Sequence, residues 1–361
     1  MTTDHPATMR AVRYDAFGAT PSVAEVAVPR PRPDGVVVRV EATGVCRSDW
    51  HAWQGHDDDI TELPHVPGHE FAGVVSEVGS PVRTVAVGER VVVPFVCGCG
   101  TCEVCRSGAS QVCPHQWQPG FSGPGSFAEL VAVPWADHNV VHLPDGIAAD
   151  VAAGLGCRFA TAYRGVVDVA RVLEGERVAV IGCGGVGLAA VMVARSRGAH
   201  VVAVDVSPDA LALALEVGAA ETVLVDRVQD PGMMRAVAGV RELAPGGFDV
   251  AVDALGSVPT ARAATSVLRP RGRHLQLGLM PPVVVGDRAS VPMHLVVARE
   301  LQVLGSHGMA AADYPRMLAD VVSGRLEPER FLGRTITLEE APAALAAMGG
   351  PTAPGVTIVR P

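Results

Sequence analysis

Between Arg177 and Asp205 the chain reads as an apolar strand, a glycine-rich turn, a helix of small residues and a second apolar strand. The strand is Arg177-Val-Ala-Val-Ile181 and the turn is Gly182-Cys183-Gly184-Gly185-Val186-Gly187. The helix runs from Val186 to Arg197, and the second strand is Val201-Val-Ala-Val-Asp205. A strand–helix–strand unit of this length lays its strands parallel and covers them with the helix. The alternation continues with a helix over Pro208–Glu216, proline in its first turn. Strands are expected at Thr222–Val225, Phe248–Val252, His274–Leu277 and Leu301–Leu304. Such alternation predicts an α/β fold with a parallel, doubly wound sheet.

The turn is a G-x-G-x-x-G in the context that pattern needs, after a strand and opening a helix. Gly182 allows the tight turn, Gly184 lets the backbone approach a pyrophosphate, and Gly187 lets helix and strand pack closely. With Gly185 and Val186 between them, these residues form a candidate cofactor loop. The helix N-terminus offers unpaired N–H groups and a partial positive charge. Asp205 lies 18 residues past Gly187. A carboxylate there can accept both ribose hydroxyls and would repel a 2′-phosphate. No arginine follows it closely, so NAD is favoured over NADP. The alternative is a purely structural turn with a surface aspartate.

Upstream of about Cys157 the pattern is different. Val36–Val40, Phe71–Val75 and Glu89–Val93 are β-rich runs, punctuated by Pro67-Gly68, Gly79 and Gly88. This predicts an irregular, mostly β domain. The tail carries helices near Tyr314–Ser323 and Leu338–Met348, then a strand-like Val356–Val359 expected to return to the first domain. The domains are expected at 1–157 with 304–361, and at 158–303.

Composition excludes several classes. Hydrophobic residues make up 48% of the 361, too many for a disordered chain. The formal charge of −9 argues against a nucleic-acid surface. All 29 basic residues are arginine, so lysine-based mechanisms are excluded. Asp57-Asp58-Asp59 reads as a solvated loop. Met1–Arg10 lacks the apolar core of a secretory signal, and no uncharged apolar stretch reaches the roughly 18 residues of a membrane span. The expected address is the cytoplasm, where eight cysteines point to metal or catalysis before disulfides.

Four of those cysteines, Cys99, Cys102, Cys105 and Cys113, are spaced C-x2-C-x2-C-x7-C. Four thiolates can wrap one tetrahedral zinc and leave no open position, so this lobe (95–113) is read as a structural zinc site. Disulfides at this spacing would make small strained loops. Cys97 lies just outside the pattern and reads as a spectator. Cys183 reads as a small buried residue.

Three further segments hold scattered candidate ligands: Gly44-Val-Cys46-Arg47-Ser48-Asp49-Trp50-His51, Pro67-Gly-His69-Glu70, and Gly156-Cys157-Arg-Phe-Ala-Thr161. None is convincing by spacing alone. Together with the four-cysteine lobe and the Gly182–Gly187 loop, in this order, they make the chain resemble the zinc-containing medium-chain alcohol dehydrogenases. The resemblance covers nearly the whole chain. It implies a GroES-like catalytic domain built from both chain ends, with a Rossmann domain inserted.

Carried over to these positions, the resemblance implies two zinc ions per subunit. Cys46, His69 and Cys157 would hold the catalytic one, with the fourth place open. Asp49 would steady the His69 imidazole, and Glu70 would be an alternate ligand. Ser48 would touch the substrate oxygen and start a proton relay that ends at His51. Arg47 would contact the pyrophosphate. Where relatives place a basic residue near the C-terminal strand, this chain has Val356. The short segment between Cys113 and Cys157 favours a homotetramer over a dimer, by analogy.

Cys157, rather than a glutamate, leans toward simple alcohols and aldehydes. Phe95 and Trp117 are expected to line the substrate pocket. The expected reaction is oxidation of a primary aliphatic or aromatic alcohol with NAD. Competing readings are a secondary-alcohol or diol dehydrogenase of the same fold, an NAD-binding redox sensor, and a zinc-free quinone reductase.

Overall fold

The structure, a computed structural model, describes residues 8–280, 291–350 and 353–361. Part of the Met1–Arg10 stretch, residues 1–7, lies outside the described residues. The chain forms two compact units. One comprises Met1–Cys157, Gly308–Val322 and Leu332–Pro361, the other Arg158–His307 and Ser323–Phe331.

The first unit is built on a sheet of short strands. These are β3 (Val36–Gly44), β4 (Phe71–Val78), β5 (Arg90–Val93), β6 (Leu130–Val133), β7 (Val141–His142), β14 (Leu332–Thr337) and β15 (Val356–Arg360). Their order is β14-β15-β3-β4-β5-β7, with β6 also paired to β3. β1 (Thr8–Arg13) and β2 (Ser22–Ala27) form a separate antiparallel pair. Alternation along these strands buries Val36, Val38, Phe71, Val75, Val91 and Val93 in one cluster. The C-terminal strand does return here: β15 runs antiparallel to β3, placing Ile358 opposite Gly44.

The second unit is the alternating segment. Its strands are β8 (Arg177–Ile181), β9 (His200–Asp205), β10 (Glu221–Leu224), β11 (Phe248–Asp253), β12 (Leu268–Gln276) and β13 (Gln302–Gly305). They pair in parallel in the order β10-β9-β8-β11-β12-β13. That is the doubly wound order in which the strand sequence reverses beside the first strand, where Rossmann folds bind their dinucleotide. β8 and β9 are buried along nearly their whole length, which explains their unbroken Val/Ala/Ile runs. The helix Pro208–Glu216 is capped by Ser207, whose hydroxyl accepts the Ala210 N–H at 3.2 Å.

The units depart from the expected boundaries in two places. Residues 304–307 fall in the second unit because β13 extends to Gly305 and pairs with β12. Ser323–Phe331 also joins that unit, with Phe331 stacked on Phe159 at 5.9 Å. No described helix is long and apolar enough to cross a membrane.

The loop after β8 explains its glycines. Gly182 has φ +93°. A Cβ on Gly187 would sit 1.7 Å from the Gly182 carbonyl oxygen. One on Gly185 would meet the buried Arg158 side chain at 2.7 Å. Gly184 faces open space. Gly187→Ala must therefore part helix and strand. We expect a loss of about 1–3 kcal/mol and a lowered midpoint in urea unfolding, whereas Gly184→Ala should leave stability within about 1 kcal/mol.

Candidate metal centres and dinucleotide loop

Asp49 organises the first metal cluster. It sits in the helix α1 (Arg47–Trp53) and is fully buried. Its Oδ2 accepts the Cys46 N–H at 3.1 Å. Its Oδ1 accepts the Gly68 N–H at 3.0 Å and lies 2.8 Å from His69 Nδ1. One carboxylate thus ties the Cys46 turn to the His69 turn. Gly68 must be glycine, because its φ is +108° and a Cβ would come within 2.7 Å of Phe127 and Ser126.

The third member arrives from a different element. Cys157 stands in a π-helical turn, Leu155–Phe159, a rare winding that re-aims a side chain. The Gly156 carbonyl accepts from the Tyr314 hydroxyl at 3.0 Å and from the Phe95 N–H at 3.2 Å. Gly156 also lies against Glu70, which a Cβ added at Gly156 would meet at 3.2 Å. The ligand atoms of Cys46, His69 and Cys157 end up within 4.8 Å of one another, all buried.

These residues fit a zinc ion. With Asp49 on Nδ1, the His69 imidazole turns Nε2 toward the cluster, and Nε2 is buried with no hydrogen-bond partner. Burial lowers the His69 pKa, but the Asp49 carboxylate outweighs it and holds the pKa well above the ordinary value. Three soft or borderline ligands, with no fourth grouped with them among the described residues, match an open catalytic site. Phe95 and Phe121 present ring edges to His69, at 5.9 and 5.3 Å.

The remaining predicted residues take definite places. Ser48 Oγ lies 3.7 Å from Cys46 Sγ and is partly exposed. His51 lies on the same helix, partly exposed, beside Trp50. Arg47 is exposed. Glu70 is fully buried, and its carbonyl accepts the Thr43 hydroxyl and the Gly44 N–H.

Trp117 pairs its backbone with Cys97 in both directions and lines a groove of about 600 Å³ with Met9, Val26 and Leu130. Phe121, besides Phe95, stands edge-on to His69. Neither Phe121 nor Tyr314 carries a local sequence signal, since both act through folding of distant segments.

The second cluster is the cysteine lobe. The ligand atoms of Cys99, Cys102, Cys105 and Cys113 lie within 4.8 Å of one another. All are free thiols, so the disulfide alternative is not realised. Sulfur accepts backbone N–H groups throughout: Cys105 to Cys102 at 3.4 Å, Cys99 to Cys113 at 3.5 Å, His115 to Cys113 at 3.3 Å. Donors from Thr101 and Cys102 hold the Cys99 thiol down, while burial pushes the neighbouring Cys113 thiol up against the donors it receives. Such donors favour thiolates, the form that binds zinc. Asn139 clamps the lobe's base, accepting from Gly98 N–H and donating to Gly98 O, both at 2.9 Å. Cys97 stands apart: its thiol faces the Pro94 carbonyl at 3.7 Å, and burial alone pushes its pKa up.

In the second unit the helix Gly185–Ser196 has Gly184 as its N-cap and, among the described residues, no side-chain cap hydrogen bond to its first N–H groups. They are free for an anion. Asp205 is already engaged. Its Oδ2 accepts the Cys183 N–H at 2.6 Å, and its Oδ1 accepts the Val206 and Ser207 N–H groups at 2.7 and 2.9 Å. It fastens the loop to the end of β9. Cys183 is buried, as read.

Losing Asp49's charge should loosen the first metal selectively. Asp49→Asn is expected to weaken that zinc about 10–100-fold while the cysteine lobe keeps its own, as chelator titration followed by metal analysis would show. Equal loss from both sites would mean that Asp49 supports folding rather than the metal.

Comparison with known proteins agrees with this geometry. A family model described as the alcohol dehydrogenase GroES-like domain matches residues 32–145, and one described as zinc-binding dehydrogenase matches 185–323. An alcohol dehydrogenase of Rhizobium meliloti is 36% identical over 301 residues, 83% of this chain and 84% of that one. An L-threonine 3-dehydrogenase of Rhizobium rhizogenes is 31% identical over 326 residues, 90% of each. A solved structure from Sinorhizobium meliloti, described as a zinc-binding dehydrogenase bound to NADP, superposes with a TM-score of 0.86 at 32% identity. It covers 99% of this chain, and 100% of that chain is matched. The chain belongs to the zinc-containing medium-chain alcohol dehydrogenase family, and is an oxidoreductase of that family.

Proposed function

We propose that this chain oxidises a primary aliphatic or aromatic alcohol to the aldehyde, with NAD as hydride acceptor. The carrying observation is the buried three-ligand cluster of Cys46, His69 and Cys157, with Ser48 beside it. A zinc held by these three residues would supply Lewis acidity to an alcohol hydroxyl, and a bound dinucleotide would supply the hydride acceptor. Ser48 Oγ takes the hydroxyl proton, and the relay ends at His51. Burial first, then the His56 and Arg47 charges, hold the His51 pKa below its ordinary value. The ring is thus neutral and able to accept at neutral pH. Phe95 and Phe121 keep the metal's surroundings dry, which strengthens every charge interaction there. A redox sensor has no need of Ser48 and His51 in this arrangement.

Relatives that act at the 3-position of threonine support a second substrate reading, since that hydroxyl is on a secondary carbon. A panel of primary and secondary alcohols separates the two.

The preference for NAD over NADP rests on Asp205. Its position is fixed by three backbone donors, and its charge opposes a 2′-phosphate. The pyrophosphate falls to the open N-terminus of Gly185–Ser196; a contact from Arg47 is what the family resemblance implies. The cytoplasm is the proposed compartment, consistent with eight cysteines and no disulfide among the described residues. A homo-oligomer, with a tetramer favoured, is the proposed assembly. Met293, Val297 and Val303 expose apolar surface at and near the edge strand β13.

Two measurements test this reading. Zinc per subunit should be about two, falling to about one in Cys46→Ser with alcohol oxidation abolished. Turnover that survives the loss of that zinc would return the chain to the quinone-reductase reading. Asp205→Ala should lower the NAD:NADP ratio of kcat/KM by about tenfold, ~1.4 kcal/mol. An unchanged ratio would remove Asp205 from cofactor choice.

A further inference from the structure

The helix α1 ends in a turn whose outermost side-chain contact is between two histidines. Gln54 is the C-cap, and Gly55 follows with φ +72°. The Gly55 N–H donates to the Ala52 carbonyl at 3.0 Å, and the His56 N–H reaches back to the His51 carbonyl at 3.0 Å. This is a Schellman motif. It brings the residue after the glycine onto the residue five before it, a contact that is ordinarily apolar. Here Nδ1 of His51 and Nδ1 of His56 lie 3.1 Å apart, so one ring donates to the other. Trp50 sets its ring edge-on to both, with centroids 5.0 and 5.8 Å away. Gly349 in turn wedges Trp50, since a Cβ there would come within 2.8 Å of its Nε1. The turn itself needs no imidazole at position 56.

We propose that His56 is the outward partner of His51 in moving the reacting alcohol's proton to solvent, a positioning residue that acts through His51 Nδ1. The inference rests on the dehydrogenase reading given above. In the oxidation direction His51 accepts the proton on Nε2. Its Nδ1–H passes to the lone pair of His56 Nδ1, and the Nε2–H of His56 is released to water. One proton enters and one leaves, so neither ring keeps a charge. Both rings are partly exposed, and exchange with water restores their tautomers before the next turnover.

The charged surroundings suit this direction. Arg47 and His56 disfavour a positive charge on His51, and Cys46 opposes them weakly. In the following turn, Asp57 Oδ1 is taken up by the Asp59 N–H at 3.0 Å. The helix Ala341–Ala347, packed against α1, brings no titratable side chain.

The test uses the full-length, zinc-loaded protein with His56→Gln, which can hold the ring but cannot pass a proton, and His56→Phe, which keeps the bulk. Alcohol oxidation is followed against pH in dilute buffer, with and without added imidazole. Both variants should lose about tenfold in kcat near neutral pH, with KM little changed, and regain it with imidazole. The acid limb of the profile should move to higher pH, because one of the causes holding the His51 pKa down is gone. A readout independent of turnover is the nitrogen NMR titration of the His51 ring, expected at higher pH in both variants. Unchanged kcat, no response to imidazole and an unchanged His51 titration would overturn the role of His56. His51→Gln serves as the control. If it loses rate while the His56 variants do not, His56 alone is wrong; if it too is silent, the relay reading beneath it fails.

Discussion

The buried carboxylate of Asp49 is the constraint from which the first unit's chemistry follows. It is fully buried, and an uncompensated buried charge costs several kcal/mol. It is held instead by the N–H groups of Cys46 and Gly68 and by the His69 ring. Those three donors fix two segments about twenty residues apart. The same arrangement gathers negative charge, since thiolates at Cys46 and Cys157 would join Asp49 in one dry region. A dication is the natural counterweight, and the buried Nε2 of His69 is the atom left to meet it. Metal binding and folding of this region are therefore coupled through one side chain.

Much of this architecture was legible because it depends on short-range rules. The runs Arg177–Ile181 and Pro208–Glu216 were readable to the residue, since unbroken apolar strands and a proline-initiated helix are local signals. The cysteine lobe was legible for the same reason: its four ligands lie within 15 residues, and their spacing alone sets the geometry. The cluster of Cys46, His69 and Cys157 was legible only through resemblance. Cys157 joins Cys46 and His69 by way of a π turn and a hydrogen bond from Tyr314, which no window of sequence contains. Trp117 shows the opposite limit. Nearness in sequence to the lobe suggested a pocket wall, while its backbone pairing with Cys97 and its place in a groove with Met9, Val26 and Leu130 carry no local signal. The boundary near Gly305 moved because strand pairing, not composition, decides where a unit ends.

The pair His51 and His56 lies between these cases. The spacing of five and the intervening Gly55 are in the sequence, and a glycine closing a helix predicts a contact across that spacing. The contact escaped because His51 carried a role by resemblance, whereas His56 matched no motif. A helix cap is usually read as a matter of stability. Here it also decides which two titratable rings meet, at no added conformational cost, because the turn is required to end α1 in any case.

Asp205 follows the same logic in the second unit. It resembles a free ligand-reading carboxylate when only its place at the end of β9 is known. In the fold it serves the protein first, accepting three backbone N–H groups that tie the glycine loop to the next helix. Two carboxylate oxygens offer about four lone-pair sites, so little capacity is left for a ribose diol without some exchange of partners. Its charge, by contrast, is undiminished and immobile. A group whose position is settled before any ligand arrives loses no entropy in discriminating among ligands. On the proposed reading, Asp205 would therefore act more by excluding an extra phosphate than by the hydrogen bonds a ribose could gain.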